Sequence, residues 1–219
     1  MLLNFVNEQP IHNFNPVFNY HIYENNIIDT LKYNNTIDNL LKLENKILNN
    51  TSKLNANDGG TGLGNDSITS RFSQYNLFKI NETKFLKDVV VNEHNNFLKE
   101  LGNKQKYNLY GQCWFNVLKK GEQINIHSHA INKHSYLSGH ISVQSFNTST
   151  YYIIPYYENT YVQKNVDGKI TLFPSWVKHY TDKVKEKQER ISIAFDLILE
   201  DSFEVDIIDD MKPHWEKLI

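Results

Sequence analysis

Apolar positions recur at helical spacing in the first half of the chain. Residues 37–50 place leucines and isoleucines three or four positions apart, as an amphipathic helix does. Residues 81–102 show a second helical pattern, with Asn81 or Thr83 as the expected N-terminal cap and Gly102 as the expected stop. Two helices are therefore predicted in this half.

The second half of the chain consists of short apolar or alternating segments that are separated by turns. Such segments are typical of β-strands, and residues 16–23 are one more candidate earlier in the chain. Helices followed by strands predict one α+β, mainly β domain over residues 1–219, with helical support in residues 1–104 and an antiparallel barrel core in residues 105–200. The later strand candidates are YNLYGQCWFNVLKKG, INIHSHA, YLSGHISVQSF, YYIIPYY, ITLFPSW and RISIAFDLIL.

Composition narrows the class of protein. Hydrophobic residues make up 40% of the chain and aromatic residues 13%, which is enough for a sizeable core. A formal net charge of −2 without a basic block makes nucleic acid an unexpected partner. Cys113 is the only cysteine, which excludes an intrachain disulfide and a thiolate zinc cluster. The chain shows neither a signal-peptide pattern nor a bilayer-spanning apolar run, so we expect a cytoplasmic protein without a membrane partner.

A glycine-rich segment, NANDGGTGLGNDS at residues 55–67, interrupts the helical half. It contains many turn-forming residues, but it lacks a lysine after its glycines and has no flanking strand and helix. We therefore interpret it as a surface or lid loop rather than a phosphate-binding loop.

The segment INIHSH contains the first candidate for chemistry. Alternation along a strand would place Ile124 and Ile126 on one face and Asn125, His127 and His129 on the other. Two imidazoles at this spacing can converge on one metal ion. Because the chain has nine histidines, the pair alone is a weak signal, and ordinary histidines are the alternative.

The segment RISIAF contains the second candidate. Its apolar residues share one strand face, whereas Arg190, Ser192 and Ala194 share the other. A buried guanidinium without a partner is costly. A dicarboxylate ligand would supply a partner, because arginine forms paired hydrogen bonds with a carboxylate and Ser192 adds a hydroxyl. The alternative is that Arg190 lies at a strand end and reaches solvent.

Taken in order, these segments resemble a known family. Gly121, the H-x-H pair, SYLSG, the run GKITLFPSWVKH that ends at His179, and RISIAF are similar to the motifs of Fe(II)/2-oxoglutarate-dependent oxygenases. The similarity is greatest to the small prolyl-hydroxylase-like branch found in bacteria and phages, and it covers residues 110–199. The resemblance implies a double-stranded β-helix, also called a cupin-like jelly roll.

The resemblance also implies roles for individual residues. His127 matches the first metal-binding histidine of the family and His179 the distal one. Arg190 and Ser192 match the R-x-S pair that binds the distal carboxylate of 2-oxoglutarate, and Asn116 matches a polar position that often faces this cosubstrate. With Fe(II), 2-oxoglutarate and O2, such a site hydroxylates a C–H bond of its substrate and releases succinate and CO2.

His129 departs from the commonest pattern, in which this ligand is Asp or Glu. The H-x-H variant of the small branch still resembles an iron site, so His127, His129 and His179 are the expected metal ligands. A third neutral imidazole removes one negative charge, so we expect weaker Fe(II) binding and competition from Zn(II), Ni(II) or Co(II). His134 and His140 are expected at the surface or behind the ligands, with His140 near the substrate.

The substrate and some alternatives stay open at this point. A peptidyl residue, an amino acid, another small molecule or a nucleobase would each suit the motifs, and a homodimer is allowed. Two other classes also remain. One is a cupin-like module that binds a metal or a small acid without turnover. The other is a structural protein, such as a phage component, that keeps remnants of the motifs.

Overall fold

The computed structural model describes residues 1–7, 12–14, 17–130, 134–155 and 160–219. Short 3-10 turns occupy Lys53–Asn55, Thr69–Arg71, Leu77–Lys79 and Lys212–His214. The longer elements in the described residues are β1 (Leu2–Val6), β2 (Asn19–Asn26), α1 (Ile28–Tyr33), α2 (Thr36–Asn50), α3 (Phe85–Glu100), β3 (Leu109–Leu118), β4 (Leu137–Gln144), β5 (Ser149–Ile153), β6 (Tyr161–Lys164), β7 (Lys169–Pro174), β8 (Lys178–Thr181), β9 (Arg190–Leu199), α4 (Glu200–Asp206) and β10 (Glu216–Lys217).

Two antiparallel sheets carry the fold. Over the described ranges, the larger sheet has the strand order β1-β2-β7-β4-β9-β3-β10 and the smaller sheet has the order β6-β5-β8. The longest pairing joins β3 to β9, where Asn116 lies opposite Ser192 and Leu118 opposite Arg190. Side chains from both sheets line one cavity of about 460 Å³, so the two sheets face each other across it.

The path of the chain between these sheets defines the fold class. After β3 in the larger sheet, the chain passes along the smaller sheet at residues 124–129 and returns at β4. It then crosses to β5 and β6, returns at β7, crosses to β8 and ends the barrel at β9. Eight consecutive segments distributed in this way form a jelly roll. The predicted fold, mainly β with a double-stranded β-helix, is confirmed.

Helices cover the outer face of the larger sheet. Leu40 of α2 and Val90 and Phe97 of α3 are buried in one apolar cluster with side chains of β3, β4, β7 and β9. The two faces of strand β4 meet different surroundings. Ile141 belongs to this apolar cluster, whereas its neighbour His140 lines the cavity on the opposite face. No helix within the described ranges is both long enough and apolar enough to cross a membrane.

The sequence predicted α2 and α3 but not the start of α3. This helix begins at Phe85 without a side-chain cap, so the prediction that Asn81 or Thr83 caps it is wrong. Thr83 instead donates its hydroxyl hydrogen bond to the backbone carbonyl of Leu77. Gly102 has a φ of 69° and follows the last turn, so the predicted stop is confirmed.

The larger sheet also includes strands that lie outside the predicted barrel core of residues 105–200. The first 104 residues also contain strands, because β1 pairs with β2 and β2 pairs with β7. The strand predicted at residues 16–23 is β2, displaced towards the C-terminus. After the barrel, β10 pairs with β3. In the candidate YYIIPYY, β5 ends at Ile153, and Tyr156 and Tyr157 lie outside the described residues.

Substituting a buried leucine of α2 tests the packing of this helix on the sheet. Leu40 is fully buried in the main cluster, so Leu40→Ala should lower the free energy of unfolding by about 2–5 kcal/mol. Leu54 is 95% exposed, so Leu54→Ala should change it by less than about 0.5 kcal/mol. Urea denaturation of the metal-free protein measures both values. Equal losses in the two variants would contradict the described packing.

Candidate metal centre and the cavity around it

Three histidines meet in the middle of the cavity. His127 and His129 come from the segment before β4, and His179 comes from β8. The backbones of His127 and His179 donate hydrogen bonds to each other at 3.1 and 2.9 Å. One ring nitrogen of each histidine lies within 4.8 Å of the other two, and the Nε2 atoms of His127 and His129 are 3.2 Å apart. The structure therefore brings together the three histidines that the sequence singled out.

The segment that carries two of these histidines is not a regular strand. Its only bridge joins His127 to His179, and Ile124 is buried while Ile126 is 57% exposed. The prediction that these isoleucines share one face of a strand is therefore wrong. The two histidines converge because the backbone is fixed on both sides, by the bridge and by a 2.9 Å hydrogen bond from the His129 amide to the carbonyl of Ser175.

Each imidazole is oriented through its Nδ1 atom. In His127 and His179 this atom lies 2.9 and 3.1 Å from the backbone carbonyl oxygen two residues earlier in the chain. In His129 it lies 2.8 Å from Oδ1 of Asp196. Carbonyl and carboxylate oxygens only accept, so Nδ1 carries the hydrogen in all three rings. In a neutral ring this leaves the lone pair on Nε2, which is the tautomer that a metal ion requires.

Burial keeps two of these rings neutral. Loss of solvation, together with the neighbouring His129, lowers the pKa of His127 to about 4. Burial also lowers the pKa of His179 well below its usual value. Two donors on one ion at about 2.1 Å are about 3.0–3.4 Å apart in octahedral or tetrahedral sites, and the observed 3.2 Å agrees with this range. The donor set fits a divalent transition metal such as Fe(II) or Zn(II).

One of the side chains that line the cavity is a buried guanidinium. Arg190 is 2% exposed, so the alternative that it reaches solvent is wrong. Within the described part of the chain it forms no salt bridge, and its Nη1 atom has no hydrogen-bond partner. Burial lowers the pKa of Arg190 to about 10, so it stays charged at neutral pH. A buried cation of this kind is costly unless an anion accompanies it.

The other predicted cosubstrate residues line the same cavity. Ser192 lies on the inner face of β9, as Arg190 does, and Asn116 lies opposite it on β3. Asn116 donates a hydrogen bond to the hydroxyl of Ser192 at 3.3 Å and accepts one from the hydroxyl of Thr69 at 2.8 Å. These contacts fix the orientation of the Asn116 amide beside the hydroxyl of Ser192. The Ser192 hydroxyl and the Arg190 guanidinium line the same pocket.

The two remaining histidines of the motif region occupy different environments. His134 is exposed. His140 lines the cavity, and its Nε2 atom lies 2.6 Å from the hydroxyl of Tyr152. Burial, with the nearby charge of Arg190, lowers the pKa of His140 to about 3. As expected, neither of them belongs to the group of three converging histidines.

The glycine-rich segment borders the mouth of the cavity. Asp58, Gly59 and Thr61 are among the lining residues. The carboxylate of Asp58 accepts hydrogen bonds from the backbone amides of three later glycines of the segment. The carbonyl of Thr61 accepts one from the amide of Asn125, which links the segment to the histidine-bearing strand region. The segment is a loop, as predicted, and its role as a lid stays a prediction.

Sequence reasoning missed two parts of the site. Asp196 lines the cavity because it continues the inward alternation of Arg190, Ser192 and Ala194 on β9, and the same alternation extended by one step would have found it. The outer wall includes Ile208, Met211 and Trp215, which follow the last barrel strand. No motif marks these residues, because their place at the mouth depends on how the C-terminal segment returns to β3.

A family comparison supports the resemblance over part of the chain. Residues 147–196 match the model of a family described as "Putative 2OG-Fe(II) oxygenase". This range contains His179, Arg190, Ser192 and Asp196, and it ends before the last residues of β9. The match supports the superfamily that the order of motifs indicates, and with it a function of the dioxygenase type. A search of curated proteins finds no significant match.

Solved structures similar to this chain include oxygenases. A protein of the 2OG-Fe(II) oxygenase family from Burkholderia pseudomallei is 14% identical, with a TM-score of 0.46, over 54% of this chain and 59% of that one. A prolyl-4-hydroxylase from Pseudomonas putida is 12% identical, with a TM-score of 0.42, over 55% and 66%. This chain thus spans less than two thirds of either protein. At these scores neither structure supports an inference about function.

Removing a histidine tests the metal centre. His127→Ala and His179→Ala each delete one of the three converging Nε2 atoms, so each should lose nearly all bound metal after loading with Zn(II) or Co(II) and desalting. Elemental analysis of the desalted protein measures the content. His134→Ala removes an exposed histidine and should retain about one ion per chain, like the wild type. Full retention in His179→Ala would refute this centre.

Proposed function

We propose that the protein is an Fe(II)- and 2-oxoglutarate-dependent dioxygenase that hydroxylates a C–H bond of its substrate and releases succinate and CO2. The observation that carries the proposal is the buried Arg190, whose Nη1 atom has no hydrogen-bond partner among the described residues, in the same cavity as three converging imidazole rings. The centre offers sites for a metal, and the guanidinium offers a site for an acid. The family match over residues 147–196 supports the same combination.

The three histidines are the proposed metal ligands. His127, His129 and His179 would hold Fe(II) through their Nε2 atoms, with Nδ1–H of each ring bonded to an oxygen that fixes its orientation. When bound, iron supplies the activation of O2 that is coupled to oxidative decarboxylation of 2-oxoglutarate. The protein supplies neutral rings and a fixed arrangement of donors.

Arg190 and Ser192 are the proposed anchors of the cosubstrate. The guanidinium would form paired hydrogen bonds with the distal carboxylate of 2-oxoglutarate, and the serine hydroxyl would donate one more. Asn116 orients that hydroxyl through the contact described above. Because Arg190 is already buried in the free protein, binding of the anion relieves an unpaired charge, and little further ordering of the side chain is needed.

The part of the cavity that is lined by apolar and aromatic side chains is the proposed substrate site. Trp114 is one of these side chains, and it stacks on His129 with ring centroids 5.5 Å apart. Such walls exclude water from the reacting C–H bond and limit side reactions. A peptidyl residue, an amino acid or another small molecule remains the proposed class of substrate, in a protein that acts in the cytoplasm.

The decisive measurement is succinate release. The metal-loaded protein is incubated with 2-oxoglutarate under air, across a panel of metals and candidate substrates, and succinate is quantified. We expect release with Fe(II) and none with His179→Ala, because the variant lacks one metal ligand. Binding of 2-oxoglutarate without succinate under every condition would favour the cupin-like binding module. Neither metal binding nor 2-oxoglutarate binding would favour a structural protein.

A binding experiment tests the role of Arg190. Arg190→Ala removes the only partner proposed for the distal carboxylate charge, so the dissociation constant of 2-oxoglutarate should rise at least about tenfold, with metal content unchanged. Calorimetry on metal-loaded protein measures the affinity. Lys185→Ala makes the same change of charge on an exposed turn and should bind like the wild type. Equal affinity in Arg190→Ala would refute the assignment.

A further inference from the structure

Asp196 is joined to the candidate metal centre through His129. Its Oδ1 atom accepts the Nδ1–H hydrogen bond of His129 at 2.8 Å, and both side chains are largely buried. The same oxygen lies 2.6 Å from the hydroxyl of Ser138 on the neighbouring strand β4. Ser138 in turn lies 2.9 Å from the hydroxyl of Ser175. The carboxylate is thus fixed from two sides, and it lies behind the ring rather than on the side of the converging Nε2 atoms.

The hydrogen-bond directions require an acceptor oxygen at this position. Ser138 has one hydroxyl hydrogen, and the acidic oxygen at 2.6 Å is its closest acceptor, so Ser175 donates to Ser138 and Ser138 donates to Asp196. His129 donates as well, because the carboxylate oxygen that its Nδ1 atom contacts at 2.8 Å accepts hydrogen bonds. Two donors therefore converge on one oxygen of Asp196.

The role proposed for the Asp196 carboxylate follows from the charges that the site would contain with a metal ion and 2-oxoglutarate bound. A divalent ion on three neutral imidazoles keeps both of its charges, and Arg190 adds one more. The two negative charges of 2-oxoglutarate are one fewer than the positive charges of these groups. Asp182 also acts on Arg190, but it forms no salt bridge with it and does not line the cavity. Asp58 also borders the mouth, but backbone amides of its own loop occupy its carboxylate. Asp196 is the lining carboxylate that contacts a histidine of the centre directly.

We propose that Asp196 is a positioning and charge-balancing residue of the metal centre, which gives His129 much of the anionic character of the carboxylate ligand it replaces. This inference rests on the proposed function, since it needs a metal on the three histidines. A carboxylate that accepts from the far nitrogen of a ligating imidazole raises the basicity of the ring and fixes its orientation. The H-x-H centre then holds a divalent ion more tightly than three isolated imidazoles would.

Metal titration of isosteric variants tests the proposal. Metal-free wild type, Asp196→Asn and Asp167→Asn are titrated with Co(II), and the visible absorption of the bound ion gives both affinity and coordination. Asn keeps the shape and an oxygen that accepts from His129 but removes the charge. The dissociation constant for Co(II) should rise about 10- to 100-fold in Asp196→Asn. Asp167 accepts from Ser145 and does not line the cavity, so Asp167→Asn should bind like the wild type.

The outcomes separate this inference from the proposed function. Wild-type affinity in Asp196→Asn overturns the role of the charge and leaves the metal centre intact. Failure of the wild type to bind Co(II) at its histidines overturns the centre, and the inference with it. A weaker affinity with unchanged absorption bands supports a charge effect, because a misplaced ligand would shift the bands. If Asp196→Asn does not fold, Asp196→Glu against Asp196→Gln makes the same comparison at constant length, and equal affinities overturn the proposal.

Discussion

The paired backbone hydrogen bonds between His127 and His179 are the interaction on which the site depends. They add an otherwise irregular segment to the smaller sheet and so bring together two histidines that are far apart in the sequence. The Nδ1 atom of each ring is bonded to a carbonyl oxygen two residues earlier in the chain, so the backbone that makes the bridge also sets the ring orientation. The backbone contact that adds this segment to the smaller sheet therefore also positions two of the candidate metal donors.

The two faces of β9 explain how a stable core and a polar pocket coexist. Ile191, Ile193 and Phe195 face the helices and are fully buried there, whereas Arg190 and Asp196 face the cavity. Burial of the apolar face, together with the helices that cover it, contributes the stability that offsets the cost of an unpaired guanidinium. The fold therefore holds a buried guanidinium in the cavity at an energetic cost that the core compensates.

The sequence predicted those features that follow from local periodicity or from the order of motifs. The two helices, the strands β3, β4, β7 and β9, and the grouping of His127, His179 and Arg190 were all accessible in this way. The start of α3 was not, because Thr83 bonds to the backbone of Leu77 instead of capping the helix. The outer wall of the cavity was not accessible either, since it depends on tertiary contacts of the C-terminal segment that leave no periodic signal.

The contact between His129 and Asp196 changes how the H-x-H pattern is interpreted. Counting ligands along the sequence suggests a centre that has lost one negative charge, because an imidazole stands where most relatives of the resembled family have a carboxylate. In the fold, a carboxylate bonded to the far nitrogen of that imidazole stands directly behind it. If the proposed centre binds a metal, the ion would meet a nitrogen donor while a negative charge lies one ring further out. Metal preference would then be a property of the pair formed by His129 and Asp196, and the three ligands alone would not determine it.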